Sequence, residues 1–226
     1  IIYFINCLLN PNYFEWIEFA IKKIKYTDYK KLTICATVND KIKNFILEKL
    51  GNYKNTKFVF NYLNEHEYPG IRELYRQGKK HNNNSDIFLY FHAKGITHRK
   101  HFKDLKCLRR KRVYLIYSIL NKYYCVLKAF EIFKNIEKCV YSTEDGKCEN
   151  REGGIAWLNF FYVRGNYLNK LETPKKTSDR YYYELWLTKK KNVRYGNYKI
   201  LSEKCDKFIW VSDCYSFNIA RYNIGE

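Results

Sequence analysis

Methionine is absent from this 226-residue chain, and proline (3) and glycine (10) are scarce. With Ile1 at its head, the chain reads as a fragment or a trimmed piece, and a removed N-terminal segment is left open. So few helix and strand breakers leave no linker, and no internal repeat is visible; a single domain over residues 1–226 is expected. No apolar run approaches the roughly 18–20 residues that a membrane span needs. Ile1 to Leu9 is short, contains Asn6 and runs into Asn10-Pro11, so it reads as a buried strand rather than a signal peptide. None of the eight cysteines forms a CxxC pair, which argues against zinc held by thiolates. Cys7, Cys35 and Cys125 sit inside apolar runs, as reduced buried thiols do. This favours a reducing, cytoplasmic compartment, although an even count also permits disulfides.

Acidic residues are few: 23 Asp and Glu against 42 Lys and Arg, a net charge of +19. One reading is a polyanionic partner, nucleic acid or an anionic membrane surface. The other is composition bias, since Lys, Asn, Ile, Tyr and Phe are all abundant, as an AT-rich genome would produce. No nucleic-acid module is recognisable, and the basic residues are dispersed except in one stretch from His98 to Arg112. Nucleic acid is therefore not expected as the main partner. That stretch reads either as a solvated helix face or as a grip on a diphosphate or anionic acceptor.

Hydrophobic residues make up 46% of the chain, in segments that alternate with polar punctuation. Ile1–Leu9, Leu32–Val38, Lys57–Tyr62 and Asp86–His92 read as strands. Between them lie helical patterns. Pro11 opens one with Phe14, Ile17, Ile21 and Ile24. Asp40 opens another with Ile42, Phe45, Ile46 and Leu50, stopped by Gly51. Pro69-Gly70 opens a third with Ile71, Leu74 and Tyr75, ending near Gly78. This β-α-β-α-β-α-β order predicts an α/β fold with a mostly parallel central sheet flanked by helices. Beyond it, Leu105 to about Lys134 reads as helical, either continuous or broken near Tyr123. Strands are expected at Lys138–Tyr141, Ile155–Val163 and Phe208–Val211, with a polar loop at Ser142–Gly153. Short helices are expected at Gly165–Leu171 and Asp179–Leu187.

The segment Leu89-Tyr90-Phe91-His92-Ala93-Lys94-Gly95-Ile96-Thr97-His98 ends the most apolar strand with polar residues at its carboxyl end. Ligands of open α/β sheets bind there. Gly95 permits a tight turn or a close backbone approach. Lys94 is a compact cation for phosphate oxygens, and His92 and His98 offer hydrogen bonds or proton transfer near neutral pH. An ordinary solvated loop is the competing reading.

YFHAKGIT resembles the YFHxKG segment of a family of GT-A-type glycosyltransferases found in giant viruses and some bacteria. Trp157-Leu158-Asn159-Phe160-Phe161-Tyr162-Val163-Arg164-Gly165-Asn166-Tyr167-Leu168 is similar to the family's Asn-Phe-aromatic-aromatic segment, with Leu158 where the family carries Gly. Asp179-Arg180-Tyr181-Tyr182-Tyr183-Glu184-Leu185-Trp186 resembles its Arg-Tyr-x-x-Glu-x-Trp, and Tyr68-Pro69-Gly70 also fits. The matches follow the family's order across roughly residues 1–187. The resemblance implies a GT-A-like domain that takes a UDP- or GDP-sugar and a glycan or protein acceptor. Its nucleotide-sugar half would span about residues 1–100 and its acceptor half about 101–226. For a viral chain the expected compartment is the host cytoplasm or virus factory.

In such folds Asn6, Asn39 and Asp40, at the ends of strands one and two, line the nucleoside pocket; a plain helix cap is the even alternative for Asp40. Asn159, inside an aromatic strand, bonds either backbone groups or sugar hydroxyls. Glu184 or Asp179 is the candidate base for the acceptor hydroxyl, with Arg180 near the phosphates. A surface ion pair between Arg180 and Glu184 is the competing reading. Trp186 and Tyr182 would form an apolar platform for a sugar ring, or else belong to the core. GT-A enzymes ordinarily hold a divalent metal with Asp-x-Asp, and no Asp-x-Asp occurs here. His92-Ala93-Lys94 stands in its place, so transfer is expected to be metal-independent, or to use Mn2+ or Mg2+ weakly through His92. A basic domain that binds polyanions without catalysis, and a degenerate transferase that only binds sugar nucleotide, are the alternatives.

Overall fold

Four apolar runs separated by three amphipathic helices leave few ways to bury every apolar face, and the chain adopts an α/β sandwich of helix, sheet and helix. The computed structural model describes residues 1–81, 85–93, 113, 116–117, 119–121, 123–132, 137–140, 159–179 and 181–187. Strands β1 (Ile2–Asn6), β2 (Leu32–Thr37), β3 (Thr56–Asn61) and β4 (Ile87–His92) alternate with helices α1 (Tyr13–Ile24), α2 (Asp40–Leu50) and α3 (Tyr68–Lys80). Helix α4 (Tyr123–Ile132), strands β5 (Lys138–Val140) and β6 (Phe161–Arg164), and helices α5 (Gly165–Lys170) and α6 (Tyr182–Trp186) follow. The six strands form one mixed sheet in the order β3-β2-β1-β4-β6-β5. Strands β1 to β4 run parallel, whereas β6 is antiparallel to both β4 and β5.

The strand order determines where the helices go. From β1 to β3 the chain steps one way across the sheet, and then it returns to lay β4 on the other side of β1. Right-handed crossovers put helices on opposite faces when the direction reverses. Accordingly α1, α2 and α4 pack with Tyr3, Ile5, Ile34, Leu89 and Phe91 on one face. On the other face α3, α5 and α6 pack with Ile2, Phe4, Cys35, Tyr90 and Phe161. The reversal falls between β1 and β4, and the carboxyl ends of the strands at such a point are where open α/β sheets have their ligand crevice.

Local chemistry sets the boundaries. β1 ends at Asn6, short of the expected Leu9, because the Asn6 side chain accepts the Leu9 N–H (3.3 Å) and starts a 3-10 turn over Cys7–Leu9. α1 begins at Tyr13, so Pro11 lies in the preceding turn rather than at the first helical position. α3 crosses the sheet at very close range: a Cβ on Gly70 would fall 2.7 Å from Phe4 Cβ and 2.8 Å from Tyr90 Oη. α3 ends at Lys80, two residues past Gly78, which lies within the helix packed against Leu168 of α5. β6 begins at Phe161, because Asn159 takes up a left-handed conformation (φ 52°) just before it; residues 155–158 of the expected strand lie outside the described residues. α6 begins at Tyr182 rather than Asp179, whose Oδ1 instead accepts the Tyr181 N–H (2.9 Å).

Four cysteines among the described residues are free thiols: Cys7, Cys35 and Cys139 buried, Cys125 exposed. Burial pushes the Cys7 and Cys139 thiols up to about 12, so they are inert core groups at neutral pH. Among the described residues no helix is long and apolar enough to cross a membrane.

Candidate functional site

The polar groups of the crevice come from strands that are otherwise apolar. β1 reads Ile-Tyr-Phe-Ile-Asn and β4 reads Ile-Phe-Leu-Tyr-Phe-His. Phe4 pairs with His92. Asn6 is two residues further on, so side-chain alternation puts Asn6 and His92 on the same face, the one covered by α3. Tyr90 pairs with Phe161 in the antiparallel ladder of β4 and β6. Continuing that register by two residues brings Asn159 opposite His92. Three polar residues singled out by the sequence thus converge from separate strand ends, all buried: Asn6 at 8%, His92 at 7% and Asn159 at 0% exposure.

Glu67, the N-cap residue of α3, joins them. Its Oε2 accepts from Asn159 Nδ2 (2.6 Å), and its Oε1 lies 3.5 Å from His92 Nδ1, an ion pair when the imidazole is protonated. The Phe160 ring packs 5.5 Å from that of His92. Glu67 makes no side-chain cap to its own helix; the chain turns it toward β4 through His66, whose φ is 52°. The positive end of the α3 dipole favours a carboxylate at this place. Next to it, Asn6 Nδ2 donates to Asn64 Oδ1 (2.8 Å), and Glu65 forms an ion pair with Lys176.

Beneath Glu67 lies the fully buried Tyr90. Burial, followed by the charge of Glu67, pushes its phenol well above the ordinary range. Neither Tyr90 Oη nor Asn159 Oδ1 has a hydrogen-bond partner among the described residues, and neither does Thr37 Oγ1 at the end of β2. Buried polar atoms are ordinarily bonded, and each one left open costs about 1–3 kcal/mol. Three such atoms stand on the α3 face of the sheet.

The other expected site residues lie elsewhere or serve the fold. Asn39, rather than Asp40, caps α2: its Oδ1 accepts the Ile42 N–H (2.9 Å), and Asp40 is an exposed first-turn acid. Asp179 is exposed and lies ahead of α6, its Oδ1 accepting the Tyr181 N–H. Glu184 is half-buried on that helix. Trp186 is at 0% exposure, so it is a core residue and not a sugar platform. Its Nε1–H donates to Glu172 O (2.9 Å), and it meets Tyr75 edge-on (6.1 Å). Tyr182 is likewise buried, its Oη accepting the Lys175 N–H (2.9 Å). Lys94, Gly95, His98 and Arg180 lie outside the described residues, as do the basic stretch to Arg112 and the expected strand at Phe208–Val211.

Sequence reasoning missed Glu67 and Asn64. The available signal was position: both lie between the third strand and Pro69-Gly70, and that loop must fall on the carboxyl edge. Among the described residues no three His, Cys, Asp or Glu side chains gather as a metal site. No protein-family model, no curated protein and no solved structure matches the chain.

Proposed function

We propose that this chain is a glycosyltransferase with a GT-A-type fold, moving a sugar from a UDP- or GDP-linked donor to a glycan or protein acceptor. The observation that carries the reading is the convergence of Asn6, Glu67, His92 and Asn159 in the crevice where the strand order reverses. That crevice is the ligand site of open α/β sheets. The segments that carry the sequence resemblance support it too. Tyr68-Pro69-Gly70 begins α3, His92 and Asn159 meet Glu67 at the start of that helix, and Tyr183 of α6 lies within the electrostatic reach of Tyr68 and Glu65.

In this reading the nucleotide lies across the ends of β1 and β2, and Lys94 neutralises charge on the departing diphosphate in place of a metal. The acceptor oxygen bonds to the anomeric carbon, the bond from that carbon to the diphosphate oxygen breaks, and the acceptor proton passes to a carboxylate. Glu184 and Asp179 are the candidates for this base.

The test is a thermal-shift panel of UDP, GDP and their sugars, with and without manganese, on the wild type and Lys94→Ala. A ligand that binds only the folded chain must raise its melting temperature. A rise with one nucleotide, lost in Lys94→Ala, is expected. No rise with any nucleotide, together with salt-sensitive binding of DNA or RNA, would instead fit the net charge of +19 and a polyanion-binding domain. A rise that requires manganese would overturn the metal-independent part alone.

A further inference from the structure

On the α3 face, the carboxyl edge of the sheet ends in a row of three polar side chains. Thr37 pairs with Asn6 on one side and with Asn61 on the other. Earlier residues of the same strands set their direction. Ile2, Phe4 and Cys35 belong to the core under α3, Val59 packs against it, Thr33 accepts from Gln77 of α3, and Lys57 donates to Glu73 of α3. Alternation therefore turns Asn6, Thr37 and Asn61 to that face. The loop between β3 and α3 closes over them with two carbonyl groups. Asn6 Nδ2 donates to Asn64 Oδ1 (2.8 Å), and Asn61 Nδ2 donates to Leu63 O. The Asn6 amide is held one way round, because its Oδ1 accepts the Leu9 N–H (3.3 Å) and a backbone N–H can only donate. Between these two donors Thr37 is fully buried, and its Oγ1 has no partner among the described residues. Valine would fill the same space in a strand with no hydroxyl to desolvate, so packing alone gives no reason for threonine. The loop that seals this hydroxyl is itself exposed at Tyr62, Leu63 and Asn64.

We infer that the β3–α3 loop is a latch over a base-recognising row, in which Asn64 Oδ1 and Leu63 O hold the places of the two carbonyl oxygens of a uracil. The inference rests on the transferase reading, in which a nucleotide lies across the ends of β1 and β2. It names the base, and it adds a loop that opens to admit it. The row reads donor, hydroxyl, donor. The imide edge of uracil reads carbonyl, N–H, carbonyl. Both amides keep an acceptor when the loop leaves, and the imide N–H gives Thr37 Oγ1 the partner it lacks. Three neighbouring strand ends span about 10 Å. A planar base held at each end by a hydrogen bond of about 2.9 Å fills such a span. Cytosine and guanine carry an amino group at one end of the corresponding edge, and adenine has an amino group and no carbonyl. A donor then faces a donor, and a site built on hydrogen bonds rejects such a ligand.

The experiment is calorimetric titration of the full chain with UDP, CDP, GDP and ADP. Wild type, Asn64→Ala, Thr37→Val and Asn6→Asp are compared, and the melting temperature of each is taken without ligand. The wild type is expected to bind UDP at least about tenfold more tightly than the other three. Asn64→Ala removes a stand-in carbonyl from an exposed loop position, so UDP should bind about three- to fivefold more tightly. Thr37→Val deletes an unpaired hydroxyl, so the free chain should melt no lower than the wild type, yet UDP should bind about fivefold more weakly. Asn6→Asp keeps an acceptor for the Leu9 N–H and sets a second acceptor against the base carbonyl, so UDP should bind about tenfold more weakly or worse. UDP affinity that is unchanged or lower in Asn64→Ala overturns the latch. A preference for another base, or UDP affinity unchanged in folded Thr37→Val and Asn6→Asp, overturns the base-recognising row. Both results leave the transferase reading standing, since that reading requires only that a nucleotide bind. Failure of all four nucleotides to bind either the wild type or Asn64→Ala overturns the transferase reading, and the latch with it.

Discussion

Glu73 offers a quantitative check on how α3 is held to the sheet. Its carboxylate is 5% exposed and faces four partner groups. Arg76 donates from Nε (2.6 Å) and Nη2 (2.5 Å), Gln77 Nε2 donates at 2.9 Å, and Lys57 Nζ lies 3.4 Å away on β3. Gln77 also donates to Thr33 on β2 (2.8 Å), so the cluster joins α3 to two strands. Burial works against the charge, but the hydrogen bonds from Arg76 and Gln77 and the charges of Arg76 and Lys57 outweigh it. They lower the carboxyl from its ordinary 4.5 to about 2. At about 1.4 kcal/mol per pH unit this corresponds to about 3 kcal/mol. Arg76 and Lys57 are 42% and 43% exposed, so solvent screening reduces the expected contribution to about 2 kcal/mol. The folded pKa is depressed, so this stability is fully present above pH 4.5 and is lost as pH falls through about 2. Urea unfolding of wild type and Glu73→Gln at pH 7, 4.5, 3.5 and 2.5 isolates the contribution, because the other carboxylates titrate in both proteins. The variant is expected to be about 2 kcal/mol less stable at pH 7, with the gap closing toward pH 2.5. A gap that stays constant across this range would refute the assignment of the stabilisation to the ionised carboxylate.

Two further substitutions test other parts of the fold. Gly70→Ala should lower stability by about 1–3 kcal/mol, because the added Cβ collides with Phe4 and Tyr90; alanine otherwise favours a helix by about 1 kcal/mol. An unchanged or raised melting temperature would contradict the close approach of α3 to β1. Trp186→Ala should cost about 3–5 kcal/mol in urea unfolding, as loss of a fully buried aromatic does. A small stability change accompanied by loss of sugar-nucleotide affinity would restore the platform reading.

The parallel half of the sheet was legible to within a few residues, because β1 to β4 are apolar runs closed by polar residues, and periodicity reads such runs well. Periodicity falls short where one residue type serves two purposes. Gly78 lies two residues before the end of α3, and it also supplies the space in which Leu168 packs against that helix, which no helix-stop signal reveals. Asn159 sits in an aromatic run that suggests unbroken strand, and its left-handed φ is invisible to a hydropathy pattern. Asp179 continues the helical pattern of 179–187, yet its side chain holds the Tyr181 amide and delays the helix. The strand order, with β6 antiparallel, depends on long-range pairing that no local signal encodes.

Asn6, His92 and Asn159 were legible because a polar residue within or closing an apolar strand is an anomaly that a single segment displays. Glu67 was not, since an acid in a polar loop is unremarkable until tertiary structure sets it against His92 and Asn159. The backbone supplies an independent reason to read these four together. Among the described residues only Asn55, His66 and Asn159 are non-glycine residues with positive φ. Asn55 serves a turn, its carbonyl accepting the Leu32 N–H (2.9 Å). The other two converge on one carboxylate, His66 by preceding it and Asn159 by bonding it. Each such conformation costs on the order of 1 kcal/mol or more and persists only where the surroundings enforce it. Apolar packing between α3 and β6 would hold the fold without these costs or an open buried acceptor. Local rules broken together at the reversal point of an α/β sheet are what the proposed binding site would call for.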